Sequence, residues 1–362
     1  MRLETRRSRE VLERFLLGFE GTELPEEIAS LLKSGLAGVA IYPRNYKDLS
    51  GLRALTDAIR SAAKQPVLIG IDQEGGTKFS LQPPFTDWPS PADLGALGDA
   101  ALTEQVARAM ARELRAAGVN LDFAPMLDLA TNPASPVTCG RSFGADPRRV
   151  AEMGAAVIRG LAAEGILACA KHFPGHGDTI IDPHVDLPRF DGTAERLARH
   201  ELAPFAAAVA ADVPTVMTAH ILLPQLDQDR PASLSPRVLG GILRGQLKFE
   251  GVILADDLGM GAIARRYGAG ESAIKTLEAG TDIAMLCHDS SVVPAAIKAV
   301  GESVEARRFD PEQWAAGRER IARLRDRVRE VSGPGPPLDV VGCAEHRRLA
   351  EQVRERLAQR RE

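Results

Sequence analysis

Eight short apolar runs, spread over residues 16–286, constrain the fold of this chain more than any other feature. Each run is too short for a helix and is bounded by turn residues, and several are rich in Val and Ile, as buried β-strands usually are. The runs lie at residues 16–20, 38–43, 66–72, 119–127, 166–173, 213–220, 251–257 and 281–286. Near-continuous apolar strands are typical of a parallel sheet covered by helices on both faces.

The segments between these runs repeat their apolar residues every three to four positions, which is typical of amphipathic helices. Clear examples are residues 24–35, 49–63, 102–118 and 148–165. Several segments end in glycine just before the next run, as at Gly35 and Gly280. Because glycine readily takes the left-handed conformation that ends a helix, the pattern indicates strand and helix in alternation.

Eight strand–helix units predict an α/β fold, a (β/α)8 TIM barrel with extra C-terminal helices. The main alternative is an open doubly wound sheet, but no G-x-G-x-x-G turn follows the first strand. Beyond about residue 300 the apolar runs stop, and residues 311–331 and 345–361 predict helices. We therefore expect a barrel domain over residues 1–331 and a C-terminal helical tail over residues 332–362.

The charge balance argues against nucleic acid or a membrane as partner. The chain has 45 basic and 49 acidic residues, a net charge of −4, which gives no attraction to a polyanion. No run approaches the roughly 18 apolar residues of a membrane span, and we expect no signal peptide at the N-terminus. Four scattered cysteines without a C-x-x-C pair fit a reducing cytoplasm. We expect a cytoplasmic protein that binds a small molecule; its oligomeric state stays open.

Ionisable residues stand at the ends of five of the eight predicted strands. In a β/α barrel the carboxyl ends of the strands form the face that carries the active site. An apolar strand that ends in a charge is costly unless the charge is paired or faces a wet cleft. The residues are Asp72, Asp128, Lys171 with His172, His220, and Asp256 with Asp257. Together they predict a polar pocket at one mouth of the barrel.

The densest group of reactive residues is the segment KHFPGHGDTIIDPHVDLP at 171–188. One interpretation is a metal site, since His172, His176, Asp178, Asp182 and His184 are all ligand types. However, proline and glycine prevent the helix on which an H-x-x-x-H chelate works. A second interpretation is acid/base catalysis by His184, oriented by Asp182. A third is that the histidines only face solvent.

Asp256 and Asp257 are adjacent carboxylates at the end of the seventh predicted strand. Successive side chains of a strand point to opposite sides, so one can face the pocket while neighbouring donors hold the other. An ionised Asp at such a position is a competent nucleophile toward an anomeric carbon.

Nine motifs give the chain a resemblance to glycoside hydrolase family 3, and within it to the single-domain β-N-acetylglucosaminidases of the NagZ type. The motifs are GFEGTEL (18–24), YPRN (42–45), IDQEGG (71–76), FAPMLD (123–128), GRSFG (140–144), KHFPGHGDT (171–179), DPHVDLP (182–188), MTAHI (217–221) and ADDLGM (255–260). Each motif is weak alone, and their common order and spacing carry the resemblance.

The resemblance implies a retaining hydrolase of terminal β-linked N-acetylglucosamine that acts on peptidoglycan-derived fragments. We expect no cofactor and no metal. The resemblance implies Asp256 as nucleophile and His184, paired with Asp182, as acid/base. It also implies that the amino sugar is bound by Asp72, Arg141, Lys171 and His172. Charge-assisted hydrogen bonds from these side chains would hold the 2-acetamido group and the hydroxyls.

Three departures from the family pattern bear on this expectation. Thr77 and Ser80 stand where relatives usually carry arginines, which leaves Lys78 as the nearby cation. Pro183 replaces the usual Ser between Asp182 and His184, and Ala255 replaces the usual Ser before Asp256. Two alternatives stay open: a phosphorylase of the same family, and a barrel that binds amino sugars without cleaving them.

Overall fold

The computed structural model describes residues 6–77, 81–331, 333 and 335–361. Eight parallel strands form one sheet: β1 Phe15–Leu17, β2 Gly38–Ala40, β3 Leu68–Ile71, β4 Leu121–Asp122, β5 Leu167–Phe173, β6 Thr215–Thr218, β9 Val252–Ala255 and β10 Ala284–Leu286. A separate antiparallel hairpin consists of β7 Leu222–Leu223 and β8 Asp227–Pro231. Each of the eight predicted runs contains or overlaps one strand of the sheet.

The sheet closes into a barrel. Its strand order is β10-β1-β2-β3-β4-β5-β6-β9, so chain order is kept around the ring. A parallel bridge between Leu254 and Ile283 joins the two outermost strands. The predicted (β/α)8 barrel is therefore confirmed, and the open sheet is wrong. The β7–β8 hairpin was not predicted, because its sequence LLPQLDQDRP lacks the Val and Ile enrichment of the barrel strands.

Helices surround the barrel and fill the connections between its strands. They are α1 Arg6–Leu12, α2 Glu26–Ser34, α3 Leu49–Ala62, α4 Pro91–Leu97, α5 Ala100–Ala116, α6 Pro147–Ala163, α7 Ala194–Arg199, α8 Leu202–Ala210, α9 Gly261–Ala264, α10 Ala269–Ala279, α11 Val293–Glu305, α12 Pro311–Glu330 and α13 Ala344–Arg361. A π-helical segment spans Arg237–Gln246. None of these helices is long and apolar enough to cross a membrane.

Local signals in the sequence set the helix ends. At the start of α6 the Asp146 carboxylate accepts a hydrogen bond from the Arg148 amide, and Pro147 fits the first helical position. The C-terminal ends of α2 and α10 are capped by Gly35 and Gly280, whose φ angles are 118° and 112°. A side chain is strained at such positive φ, which explains why glycine occupies both predicted stops.

Helix α12 covers the amino-terminal mouth of the barrel. Its Ile321, Leu324 and Val328 belong to the same buried cluster as strand residues that point into the barrel, including Leu16 and Leu254. Beneath the barrel, Asp282 pairs with Arg244 and Arg320 at 2.7 and 2.8 Å. With that mouth filled, only the carboxyl-terminal mouth is left for a polar pocket.

The helices predicted at 311–331 and 345–361 are found at Pro311–Glu330 and Ala344–Arg361. Helix α13 packs against α4 and α5 on the outside of the barrel. The division into a domain at 1–331 and a tail at 332–362 stays a prediction.

Candidate active site

The polar residues at the strand ends meet at the carboxyl-terminal mouth, as expected. After β3, Asp72 and Glu74 contact Lys171 at the end of β5. After β4, Asp128 contacts His172, the next residue of β5. These pairs join residues that are far apart in the chain, and they fix three neighbouring strands to one another at this face.

Glu74 is the centre of a buried charge cluster. Its Oε1 lies 2.6 Å from the Lys171 ammonium and 2.7 Å from Arg141, whose guanidinium also donates to Oε2 at 2.8 Å. Lys171 additionally lies 2.6 Å from Asp72 Oδ1. Burial by itself would raise the pKa of Glu74, but the charges of Lys171 and Arg141 outweigh it and lower that pKa to about 2. The cluster therefore holds both cations in fixed positions.

Asp128 orients His172. Its Oδ2 lies 2.7 Å from His172 Nδ1, and its Oδ1 accepts from the His176 amide at 2.5 Å. Because a carboxylate accepts from Nδ1, this contact places the hydrogen on Nδ1 and leaves Nε2 for another partner. Burial lowers the pKa of His176 to about 4, so this ring is neutral at pH 7.

Asp256 and Asp257 differ as expected of two adjacent carboxylates. Asp257 is almost fully buried and accepts hydrogen bonds from the amides of Cys287 and Gly259, at 2.9 and 3.1 Å, and contacts His288 Nδ1. Asp256 is only partly buried, and its Oδ1 accepts from the Asp257 amide at 2.8 Å.

The surroundings of Asp256 favour its ionised form. Burial by itself would raise its pKa, but the electrostatic influence of the neighbouring His172 and His220 rings and the hydrogen bond from the Asp257 amide lower the pKa below its ordinary value. An ionised and partly exposed carboxylate at a strand end is the state that a nucleophile requires.

His184 and Asp182 lie on the loop that follows β5, at the same mouth. His184 Nδ1 is 2.8 Å from Asp182 Oδ1, and the His184 amide donates to the same oxygen at 2.9 Å. The His184 side chain is 51% exposed, so the ring is open to solvent. The loop contacts the segment after Asp256, because the carbonyls of His184 and Pro183 accept from the amides of Gly261 and Ala262.

The site also contains residues that were not predicted as functional. Glu74 was seen in the IDQEGG motif but given no role, and His288 was overlooked. The available signal for His288 was its position, since it follows the last strand of the barrel in the sequence MLCHD. His220, a candidate strand-end residue, is buried, and its ring contacts Ser233 Oγ at 2.7 Å and the Asp257 carbonyl at 3.0 Å.

The sequence departures fall at different places. Thr77 is exposed, whereas Lys78 and Ser80 lie outside the described residues. Ala255 is fully buried as the last residue of β9. Among the described residues, no group of three or more His, Cys, Asp and Glu side chains has the geometry to hold a metal ion. His172 and His176 instead share Asp128.

A (β/α)8 barrel with carboxylates and an imidazole around its carboxyl-terminal mouth has the architecture of an enzyme, and carboxylates at that mouth suit glycoside hydrolysis. Residues 16–324 match the sequence profile described as the glycosyl hydrolase family 3 N terminal domain. Since this match spans most of the chain, the protein belongs to glycosyl hydrolase family 3 and is a glycosidase.

Individual relatives agree with this assignment. A beta-hexosaminidase of Stenotrophomonas maltophilia is 38% identical over 296 residues, covering 80% of this chain and 88% of the relative. The structure of a glycoside hydrolase family 3 beta-N-acetylglucosaminidase from Paenibacillus sp. superposes with a TM-score of 0.92 at 37% identity, covering 97% of this chain and 68% of that one. The structure of NagZ from Neisseria gonorrhoeae in complex with N-trifluoroacetyl-D-glucosamine superposes with a TM-score of 0.77 at 29% identity. The superposition covers 95% of this chain and 98% of that one.

Proposed function

We propose that the protein is a retaining exo-β-N-acetylglucosaminidase that acts on peptidoglycan-derived fragments in the cytoplasm. One observation carries the proposal: an ionised carboxylate, Asp256, and a carboxylate-paired imidazole, His184, share one mouth of the barrel. The beta-hexosaminidase relatives and the amino-sugar ligand named for the Neisseria structure support the choice of sugar.

In the first half of the reaction, an Asp256 oxygen attacks the anomeric carbon and forms an ester to it. The bond between that carbon and the glycosidic oxygen breaks, and His184 donates its proton to this oxygen as the aglycone leaves. Asp182 accepts from His184 Nδ1, which orients the ring and stabilises its charged form.

In the second half, neutral His184 takes a proton from water, and the water oxygen attacks the anomeric carbon. The ester bond to Asp256 breaks, which returns the carboxylate and releases the sugar with its original configuration. The two displacements use opposite protonation states of one imidazole.

The sugar is held by Asp72, Lys171, Arg141 and His172. The Glu74 cluster fixes the Lys171 and Arg141 cations before substrate arrives, so little ordering is needed on binding. Asp72 is 20% exposed and accepts from Lys171, and its carboxylate is available to sugar hydroxyls. His172, oriented by Asp128, offers Nε2 to the substrate.

Mass spectrometry after exposure to a fluorinated N-acetylglucosaminyl inactivator tests this proposal. We expect a covalent adduct on the peptide that contains Asp256, and release of nitrophenol from 4-nitrophenyl N-acetyl-β-glucosaminide. Asp256→Asn should lose both, whereas the exposed Asp229→Asn should retain both. Absence of adduct and turnover, with calorimetric binding of the amino sugar, would instead indicate a non-catalytic barrel.

Two further assays separate the remaining alternatives. Free N-acetylglucosamine as the product in concentrated phosphate indicates hydrolysis, whereas a sugar 1-phosphate indicates a phosphorylase. Activity that persists in EDTA argues against a metal-dependent hydrolase.

A further inference from the structure

A second carboxylate–imidazole pair, Asp257 with His288, stands beside the proposed acid/base. Asp257 Oδ2 contacts His288 Nδ1, and the Asp257 carboxylate is further fixed by two backbone amides. Asp257 is almost fully buried, whereas half of the His288 side chain is exposed. The pair is therefore anchored at its acidic end and open at its imidazole end.

The neighbours of His288 place it at the entrance of the site. Its ring centroid is 6.0 Å from that of His184, in an edge-on arrangement, and 6.5 Å from that of Tyr42. The Arg44 guanidinium lies 4.5 Å over the Tyr42 ring and donates to the Cys287 carbonyl, one residue before His288, at 2.6 Å. Two basic side chains thus flank Tyr42 at the mouth of the barrel.

The contact with Asp257 favours the charged form of His288. Its hydrogen bond to Asp257 is the main cause that raises the pKa of the imidazole above its ordinary value. With Nδ1 committed to Asp257, His288 Nε2 has no hydrogen-bond partner among the described residues. The unpaired nitrogen of an imidazolium is a donor suited to an anion.

The position of the general acid indicates which part of a bound substrate lies beside His288. A general acid lies beside the glycosidic oxygen, so the aglycone begins at His184 and extends away from the sugar. A group next to His184 on the entrance side therefore faces the aglycone. The sugar is assigned to the Lys171 cluster, on the other strands of the barrel.

We propose that His288, supported by Arg44, forms an anion subsite on the leaving-group side that binds a small oxyanion, either a carboxylate of the aglycone or inorganic phosphate. This inference rests on the proposed function, because His184 as the general acid defines the leaving-group side. The Arg44 guanidinium is already paired with the carboxylate of Glu20, a 67% exposed side chain, at 2.9 Å. The main hydrogen-bond donor to the anion is therefore His288 Nε2.

Formation of the glycosyl-enzyme strengthens this subsite. When Asp256 becomes an ester it loses its negative charge and no longer repels an anion, while the Arg44 guanidinium and the Nε2 donor of His288 remain. A bound phosphate would then be held where an oxygen can attack the anomeric carbon. That bond would form as the ester to Asp256 breaks, which gives a sugar 1-phosphate and restores the carboxylate.

The experiment compares a charged substrate with a neutral analogue, 3-carboxy-4-nitrophenyl N-acetyl-β-glucosaminide and its methyl ester, and takes the ratio of their kcat/KM values in each protein so that the intrinsic reactivities cancel between proteins. At low ionic strength we expect the acid-to-ester ratio of kcat/KM to be about fivefold to tenfold higher in the wild type than in His288→Asn, since the variant lacks one charge-assisted contact. Added salt should reduce this ratio. The exposed His200→Asn should leave the ratio at the wild-type value.

The phosphate arm uses the same proteins in sodium phosphate and in sodium chloride of equal ionic strength. If the subsite binds phosphate as the attacking group, the wild type forms a sugar 1-phosphate and His288→Asn forms only the free sugar. If the subsite binds a carboxylate of the aglycone, phosphate competes with the acid substrate but not with the ester, and no sugar phosphate is formed. This competition is measured in the wild type, so it decides the matter even if His288→Asn does not fold.

The proposal is overturned if the acid-to-ester ratio of the wild type does not change with salt and phosphate has no specific effect. It is also overturned if the acid preference persists in folded His288→Asn and phosphate has no effect that depends on His288. Failure of the proposed function looks different, because the neutral ester itself would then not be cleaved.

Discussion

The backbone carbonyl of His184 accepts a hydrogen bond from the amide of Gly261, with nitrogen and oxygen 3.2 Å apart. The Pro183 carbonyl accepts from the next amide, Ala262, at 3.0 Å. The loop after β5 is thus attached to the start of α9, five residues beyond Asp256 in the chain. These two backbone contacts set the position of the proposed acid/base relative to the proposed nucleophile.

Gly261→Ala should disrupt the contact between the His184 loop and the start of α9. A Cβ at position 261 would lie 2.4 Å from the His184 carbonyl oxygen, so the loop has to move. Because a displacement of about 1 Å can cost roughly 100-fold, we expect kcat to fall by about tenfold to 100-fold. The loss should be smaller with a dinitrophenyl substrate, whose leaving group needs little protonation. Gly268→Ala is the control, since open space surrounds that position; equal losses in both variants would contradict the prediction.

Asp182→Ala should lower activity through His184. The carboxylate contacts both the ring and the amide of His184, so its loss frees the ring to rotate. We expect kcat to fall by about tenfold or more, within the roughly 100-fold to 10,000-fold that a general acid supplies. The double variant with His184→Ala should be no slower than His184→Ala alone. Additive losses would show that Asp182 acts separately; Asp191→Ala, on an exposed loop residue, is the control.

Glu74 should make the folded state sensitive to acid. Its pKa is lowered from 4.5 to about 2, so its contribution to folding is complete above pH 4.5 and is lost as the pH falls toward 2. The shift corresponds to about 3 kcal/mol. Urea unfolding of the wild type between pH 6 and pH 3 should show roughly two thirds of this loss of stability, because the rest occurs below pH 3.

Glu74→Gln is the matching variant. It leaves the buried cations Lys171 and Arg141 without their shared carboxylate and should cost about 3–5 kcal/mol at neutral pH. The part of the acid sensitivity that belongs to Glu74 should disappear. Glu302→Gln, at a 64% exposed position, is the control; an equally acid-sensitive Glu74→Gln would contradict the assignment.

His346→Ala should loosen helix α13. The buried Glu113 carboxylate accepts from the amides of Thr86 and Gly342 and contacts His346 Nδ1 at 2.8 Å. Removal of the imidazole leaves a buried carboxylate short of a partner and opens a void, which should cost about 2–4 kcal/mol. Urea unfolding measures this loss. The exposed His200→Ala should change stability by less than about 0.5 kcal/mol, and a similar small change for His346→Ala would contradict the prediction.

The periodicity of the chain was sufficient to predict the barrel. The apolar runs at 166–173 and 251–257 contain β5 and β9. Such strands are recognisable in the sequence because a strand buried on both faces has few polar residues. The strand-end rule also located Asp72, His172 and Asp256 at one mouth, since all parallel strands end on the same side. The roles of these residues came from the family resemblance and stay proposals.

Side-chain pairing could not be predicted in the same way. Glu74 and Arg141 are 67 residues apart, and Asp257 and His288 are 31 apart, so no local pattern relates them. Their contacts follow from barrel closure, which brings the ends of different strands together.

The sequence by itself therefore determined the strand–helix alternation, the closure into eight units and the mouth where polar residues collect, because these depend on spacing along the chain. Only the tertiary structure decided that Asp257 pairs with His288, that Glu74 holds Lys171 and Arg141, and that the His184 loop rests on Gly261. Hydrogen bonds and ion pairs act over a few ångströms in space, and such distances are set once the whole barrel has formed.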